Sequence, residues 1–183
     1  IFCLKGIAVK TVSILFFTLL FAAIFWYPKF AIKSYYHDLK GYTGLSGNTW
    51  LEEKHPDIFM AVNWLNENVK GQPVILEAPG DSYTEYNAIS AYTGLPTISG
   101  WFVHEWLWRG ESSFPQKRVG EITEIYTGKD IVLTKSLLDK YKVEYIIVGD
   151  FEREKFPNLN GEKIGNLGNP IFKSGSLEIF RLN

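Results

Sequence analysis

The chain has 183 residues, of which 46% are hydrophobic, 21% charged and 16% aromatic, with a net charge of −1. That length holds one ordinary domain plus an extra element, and near-neutral charge gives no bulk electrostatic attraction for nucleic acid. The single cysteine, Cys3, excludes a disulfide framework and a cysteine metal cluster within the chain. The aromatic content fits a membrane-interface or sugar-handling protein, and equally a Trp-rich core.

From Thr11 to Pro28 the sequence TVSILFFTLLFAAIFWYP carries no charge, and Lys10 and Lys29 close it on either side. Extended back over Gly6 to Val9, the apolar stretch approaches the roughly 20 residues that a helix needs to cross a bilayer. Trp26 and Tyr27 stand at its C-terminal end, where amphipathic rings favour the headgroup zone. A signal peptide would have a shorter apolar region and small residues at a cleavage site; here the run ends in Phe25-Trp26-Tyr27-Pro28. A buried helix of a soluble fold is the plain alternative. The sequence starts at Ile1 without Met, as the last span of a longer multi-span protein would. Lys5 and Lys10 on one side and Lys29, Lys33 and Lys40 on the other leave orientation undecided.

Lys33 to Trp50 is rich in Gly, Ser, Thr and Tyr without periodicity and reads as a linker, with Tyr35, Tyr36 and Tyr42 near the interface. The chain thus divides into a transmembrane helix over 1–30, a linker over 31–50 and a soluble domain over 51–183. In that domain Pro56 and Asp57 open a helix whose apolar face is Ile58, Ala61, Val62, Leu65 and Val69, and Gly71 stops it. Pro73 to Ala78 predicts a short buried strand. A helix over Tyr86–Tyr92 and a second strand over Leu95–Ser99 repeat the pair. Arg118–Tyr126 and Asp130–Tyr141 predict two more helices, Val143–Val148 the clearest strand. A closing hairpin runs over Pro170–Lys173 and Leu177–Leu182. Alternating strands and helices define an α/β class with a mainly parallel sheet and an antiparallel C-terminal hairpin.

In open α/β sheets ligands bind beyond the carboxyl ends of the strands. The segments leaving the three strands are Glu77 to Tyr83, Gly100 to Arg109, and Gly149 to Arg153, all polar and glycine-containing. Glu77 ends an apolar strand, where a carboxylate needs a partner or water; it reads as a base or substrate ligand, or as an ion-pair partner of Arg109 or Arg118. Asp81 contributes a ligand or simply a turn after Pro79-Gly80. His104 and Glu105 suggest metal binding or proton transfer, but helix neighbours do not share a face, and Trp108 stands where the second His of HExxH belongs. A His bonded to a carbonyl is the plainer reading. Trp101, Trp106 and Trp108 offer platforms for sugar rings or lipid, or pack the core. Arg109 presents a fork suited to carboxylate or phosphate, or pairs with Glu77 or Glu105. There is no GxGxxG, no P-loop and no GxSxG, and neither a metal nor a cofactor is expected.

The order Trp64-Leu65, Glu77-Ala-Pro-Gly-Asp-Ser-Tyr83, Thr93-Gly-Leu-Pro-Thr97, Gly100-Trp101, His104-Glu105, Trp108-Arg109, Ile125-Tyr126, Lys140-Tyr-Lys-Val143 and Val148-Gly-Asp-Phe-Glu152-Arg153 resembles the C-terminal part of the prokaryotic "YYY" multipass membrane proteins. That family is grouped by similarity with GT-C glycosyltransferases. The resemblance covers about Trp50 to Phe156. It implies an extracytoplasmic domain following a last membrane span, a polyprenyl-phosphate sugar donor and a glycan acceptor as partners besides membrane lipid, and a catalytic carboxylate in an early loop that this chain does not contain. Arg109 and Arg118 would then meet phosphate, Glu77 and His104 hydroxyls, and the tryptophans sugar or lipid. Asp81, Tyr83, Trp101, Glu105, Trp108 and Arg153 complete the expected substrate-binding set. A non-catalytic tethered module binding glycan or protein is the alternative, and an anchored hydrolase using Glu77 and His104 a third. The apolar span suggests that the polar edge faces a bilayer.

Overall fold

The computed structural model describes residues 2–42 and 44–183; Ile1 and Thr43, and the side chains of residues 2–5 with Cys3 and Lys5 among them, lie outside the described residues. The chain forms two compact units, Ile1–Ser46 and Gly47–Asn183.

The first unit is built on helix α1 (Phe2–Tyr36), which continues through Pro28. The stretch Gly6–Leu39 has a mean hydropathy of 2.3 in its most apolar window and none of that window is buried. Thr11 and Thr18 turn their hydroxyls back onto the carbonyls of Ile7 (3.0 Å) and Ile14 (2.8 Å), so neither offers a free polar group to its surroundings. The helix is long and apolar enough to cross a membrane. It also runs further than the linker boundary at residue 31 anticipated. Pro28 removes one donor without stopping it, and the helix continues to Tyr36.

The second unit is a three-layer α/β fold. Its sheet has the order β1-β2-β4-β3: β1 (Val74–Leu76) is parallel to β2 (Val143–Val148), and β4 (Leu177–Leu182) is antiparallel to both β2 and β3 (Gly168–Ser174). Strand side chains alternate between two cores. Leu76, Ile146, Val148 and Phe180 face α6 (Ser113–Thr127) and α7 (Ile131–Tyr141), with α8 (Asp150–Lys155) and α9 (Gly161–Leu167) beyond. Ile75, Tyr145, Ile147 and Ile179 face α2 (Thr49–Lys54), α3 (Pro56–Asn68) and α4 (Ala88–Thr93).

The expected strand Leu95–Ser99 contributes only a single parallel bridge, Thr97 to Ile75. Ile75 N donates to Pro96 O, but Pro96 has no N–H, so the ladder cannot extend back through Pro96. Asp57, expected to favour the start of α3, also accepts from Ser174 Oγ (3.0 Å) and Ser176 N (3.1 Å), which ties the β3–β4 turn to that helix. Lys163, buried on α9, donates to Gly128 O (2.7 Å), Glu124 O (3.3 Å) and Thr134 Oγ1 (3.2 Å). It thereby closes the carbonyl end of α6, where a cation suits the helix dipole.

Candidate functional site

Parallel β1 and β2 send the chain out on the same sheet edge, and the bridge at Thr97 brings a third segment beside them. The loops are then stitched together. Glu152, in the first turn of α8, accepts from Ala78 N (2.8 Å) after β1 and from Gly149 N (2.8 Å) after β2. Phe102 N donates to Gly80 O (3.0 Å), which ties the third segment to the first.

Asn87 is the central joint. It sits at φ 63°, a left-handed conformation that Asn tolerates better than most residues. From there its Oδ1 accepts from Gly80 N (3.1 Å), and its Nδ2 donates to Ser99 O (3.2 Å) and Glu77 Oε1 (3.2 Å). A side chain on Gly80 would run into Tyr86 Cβ at 2.5 Å, so only glycine lets the two segments approach this closely.

Above this joint, Tyr86, Asn87, Ser90, Ala91, Trp101, His104, Glu105, Trp108 and Arg109 line a cleft of about 580 Å³, within the size range of small-ligand sites. Helix α5 (Phe102–Arg109) supplies one wall. Spacing of three and four residues along it, starting from Trp101 at its N-cap, puts Trp101, His104, Glu105 and Trp108 on the cleft side. The rings of Trp101 and His104 stack at 5.2 Å, and Tyr83, at φ 63°, meets His104 edge-on at 5.6 Å. Trp101 Nε1 donates to Tyr86 O (3.1 Å), and Tyr86 in turn lies against Phe151 of α8 at 4.8 Å.

Glu105 is fully engaged. Its Oε1 accepts from Gly100 N (2.7 Å) and Ser99 Oγ (3.3 Å), and its Oε2 takes Arg109 Nε (3.0 Å) with Arg118 Nη1 at 3.9 Å. Arg118 also donates to Ile98 O (2.7 Å), and Arg109 and Arg118 both lie over the ring of Phe114 at 4.4 Å. One carboxylate against two guanidinium groups leaves this end of the cleft positive. Arg109, whose Nε is spent on Glu105, is half exposed and keeps its terminal nitrogens at the rim.

Two polar groups lie beneath the cleft instead of in it. Glu77 is buried, accepting from Asn87 Nδ2 and from Ser90 N (3.3 Å), and burial pushes its carboxyl up to about 7. Glu152 is buried beside it around a hole of about 20 Å³, and burial raises its carboxyl too.

Of the expected set, Trp101, His104, Glu105, Trp108 and Arg109 share the cleft, with Tyr83 against them and Arg118 behind Glu105. Glu77 pairs with neither arginine. Asp81 makes a turn, its carbonyl accepting from Thr84 N (3.3 Å) and Thr84 Oγ1 (2.6 Å). Arg153 lies elsewhere: it donates to Ser176 O (2.6 Å) and lines a separate cleft with Phe156, Phe180 and Glu178. His104 stacks on an aromatic ring where a carbonyl bond was the plainer expectation. Asn87 and Glu152 were not singled out in the sequence, although Gly149-x-x-Glu152 has the spacing by which a helix-start carboxylate reaches back to the N-cap N–H. Among the described residues no group of three His, Cys, Asp or Glu side chains is placed to hold a metal ion.

The fold and the cleft define a mixed α/β domain carried by a chain with one long apolar helix. Its structure is similar to the C-terminal globular domain of an oligosaccharyltransferase from Archaeoglobus fulgidus, at 14% identity and a TM-score of 0.46, over 68% of this chain and 95% of that one. No protein-family model matches the chain, and no curated protein matches it.

Proposed function

We propose that Gly47–Asn183 is an extracytoplasmic substrate-binding domain of a membrane-anchored, GT-C-like glycosyltransferase, holding the sugar and phosphate of a polyprenyl-linked donor or the glycan acceptor. The observation that carries this reading is the cleft itself, an aromatic wall ending on a positive rim. A flat ring such as Trp108 suits the C–H face of a pyranose, and an arginine with free terminal nitrogens suits a phosphate. The apolar helix α1 and the resemblance of the cleft-forming sequence to a GT-C-related family support the membrane and glycan parts.

The carboxylates favour binding over chemistry. Glu105 is saturated by hydrogen bonds and ion pairs, and Glu77 is shut beneath Asn87 and Ser90. A hydrolase using Glu77 and His104 therefore has its carboxyl shut away from the cleft that His104 lines, and the same observation supports the second reading, a tethered glycan-binding module without catalysis.

Titration of the full chain in detergent micelles separates these. Tryptophan emission is followed on adding a short-chain polyprenyl-phosphate sugar, the same polyprenyl phosphate without sugar, or a soluble oligosaccharide. The donor is expected to bind saturably, with Arg109→Ala weakening it by about tenfold, equivalent to ~1.4 kcal/mol, and Trp108→Ala weakening sugar-bearing ligands alone. Binding of the oligosaccharide only supports the module, and no saturable response to any of the three overturns both readings.

A further inference from the structure

Arg153 falls outside the cleft of α5, and the second cleft that it lines has an apolar floor and two charges of opposite sign. Val148 at the end of β2, Phe180 on β4 and Phe156 just after α8 are buried and make the floor. Glu178 and Phe180 stand two residues apart on β4, so their side chains leave the same face of the sheet. Val148 is the register partner of Glu178 across the ladder. The ring of Phe156 is held by stacking on that of Tyr126 at 4.8 Å. Pro157 and Leu159 extend the apolar lining, and the space measures about 430 Å³, within the range of small-ligand sites. It shares no lining residue with the first cleft, so it can be filled whatever the first one holds.

Arg153 and Glu178 line this space without pairing with each other. Arg153 donates from Nη1 to Ser176 O (2.6 Å), and its other guanidinium nitrogens have no partner among the described residues. Glu178 takes Lys173 Nζ on Oε1 (2.7 Å), directly across the β3–β4 hairpin, and its Oε2 has no partner among the described residues. Lys173 is 69% exposed, so water screens that pair and a second ammonium can compete for the carboxylate. Two opposite charges that leave each other unneutralised over an apolar floor suit a molecule carrying the reverse pair. We infer that this second cleft binds a free α-amino acid with a large apolar side chain. The ligand carboxylate meets the planar fork of Arg153, its ammonium donates to Glu178, and its side chain lies towards Val148, Phe156 and Phe180. A plain carboxylate or a plain amine satisfies one of the two charges and leaves the other without a partner, which is how the site discriminates against both. Glycine has both charges but nothing to cover the floor.

Titration calorimetry on the full chain in detergent micelles tests this, with heats into empty micelles subtracted and phenylalanine, glycine, phenylpropionate and phenethylamine as probes. Phenylalanine is expected to bind saturably, and each of the other three more weakly by about tenfold or more. Glu178→Gln is expected to weaken phenylalanine by about tenfold and leave phenylpropionate unchanged, so that these two bind alike. Arg153→Gln is expected to bring phenylalanine down to phenethylamine in the same way. A merely structural defect would instead weaken all four probes together, and thermal midpoints verify that both variants are folded. The absence of a saturable heat with phenylalanine overturns the inference. So does phenylpropionate binding the parent chain as tightly as phenylalanine, because the ammonium then finds no partner. Phenylalanine binding that neither substitution alters overturns it too, since the ligand then sits elsewhere.

Discussion

Glu77 follows β1 and Glu152 lies in the first turn of α8 just after the parallel β2, and their hydrogen-bond partners differ. Glu152 accepts two backbone N–H groups, from Ala78 and Gly149, and these favour its ionised form. Glu77 has Asn87 and Ser90 as donors but no cation, and burial holds its carboxyl at about 7 against an ordinary 4.5, with the charge of Glu152 adding to the rise. A carboxyl raised on folding keeps its proton where the unfolded chain has lost it. Its contribution is intact below about pH 4.5, and stability falls as pH rises towards 7, by at most on the order of 3 kcal/mol. Glu152 is raised in the same direction and adds to the slope. Glu77→Gln, which also turns one of two acceptor oxygens into a donor, is therefore expected to flatten much of this fall. Glu152→Gln replaces one acceptor oxygen by a donor, strands one of two backbone N–H groups and should cost about 1–3 kcal/mol. Urea denaturation across the window measures both, and a Glu77→Gln chain as pH-dependent as the parent contradicts the assignment.

At the scale of elements, the joint between the segments around Gly80 and Trp101 decides whether the cleft exists. The Gly80 position has no room for a methyl group: Tyr86 Cβ would lie 2.5 Å away and Thr84 Oγ1 2.6 Å. Tyr86 Cβ is fixed to the backbone and cannot swing aside. Gly80→Ala is expected to cost about 1–3 kcal/mol as the loop shifts, and to weaken ligand binding in the cleft by about tenfold, because Gly80 O and N also hold Phe102 and Asn87. Thermal melts and the tryptophan titration read the two effects, and unchanged binding would show that the joint does not set the cleft. The sequence shows part of this arrangement. Alternating strands and helices place the loops at one edge, and the pairing of Glu105 with Arg109 follows from their spacing of four. The role of Asn87 does not show, because it depends on a left-handed backbone and on three partners distant from it. Helices α2, α8 and α9, of six, six and seven residues, are too short to display a periodic apolar face.

For the molecule as a whole, an apolar helix and an α/β unit are legible because their residue patterns differ. None of the most apolar window of α1 is buried, while the strands of the second unit alternate between two protein cores. Composition alone separates them. The fate of Arg153 is not legible in this way, since a sheet edge is wide and strand order, not sequence order, decides which part of it a side chain reaches. The second unit carries both of its cores within Gly47–Asn183, so its stability should not depend on the helix. Cleavage within residues 40–46 is expected to release a water-soluble fragment whose thermal midpoint equals that of the uncut chain in micelles, while the helical piece stays with detergent. Loss of more than about 1 kcal/mol on cleavage, a fall of roughly 2–4 °C in a domain of this size, would show that α1 contributes packing to the α/β unit and not only a tether.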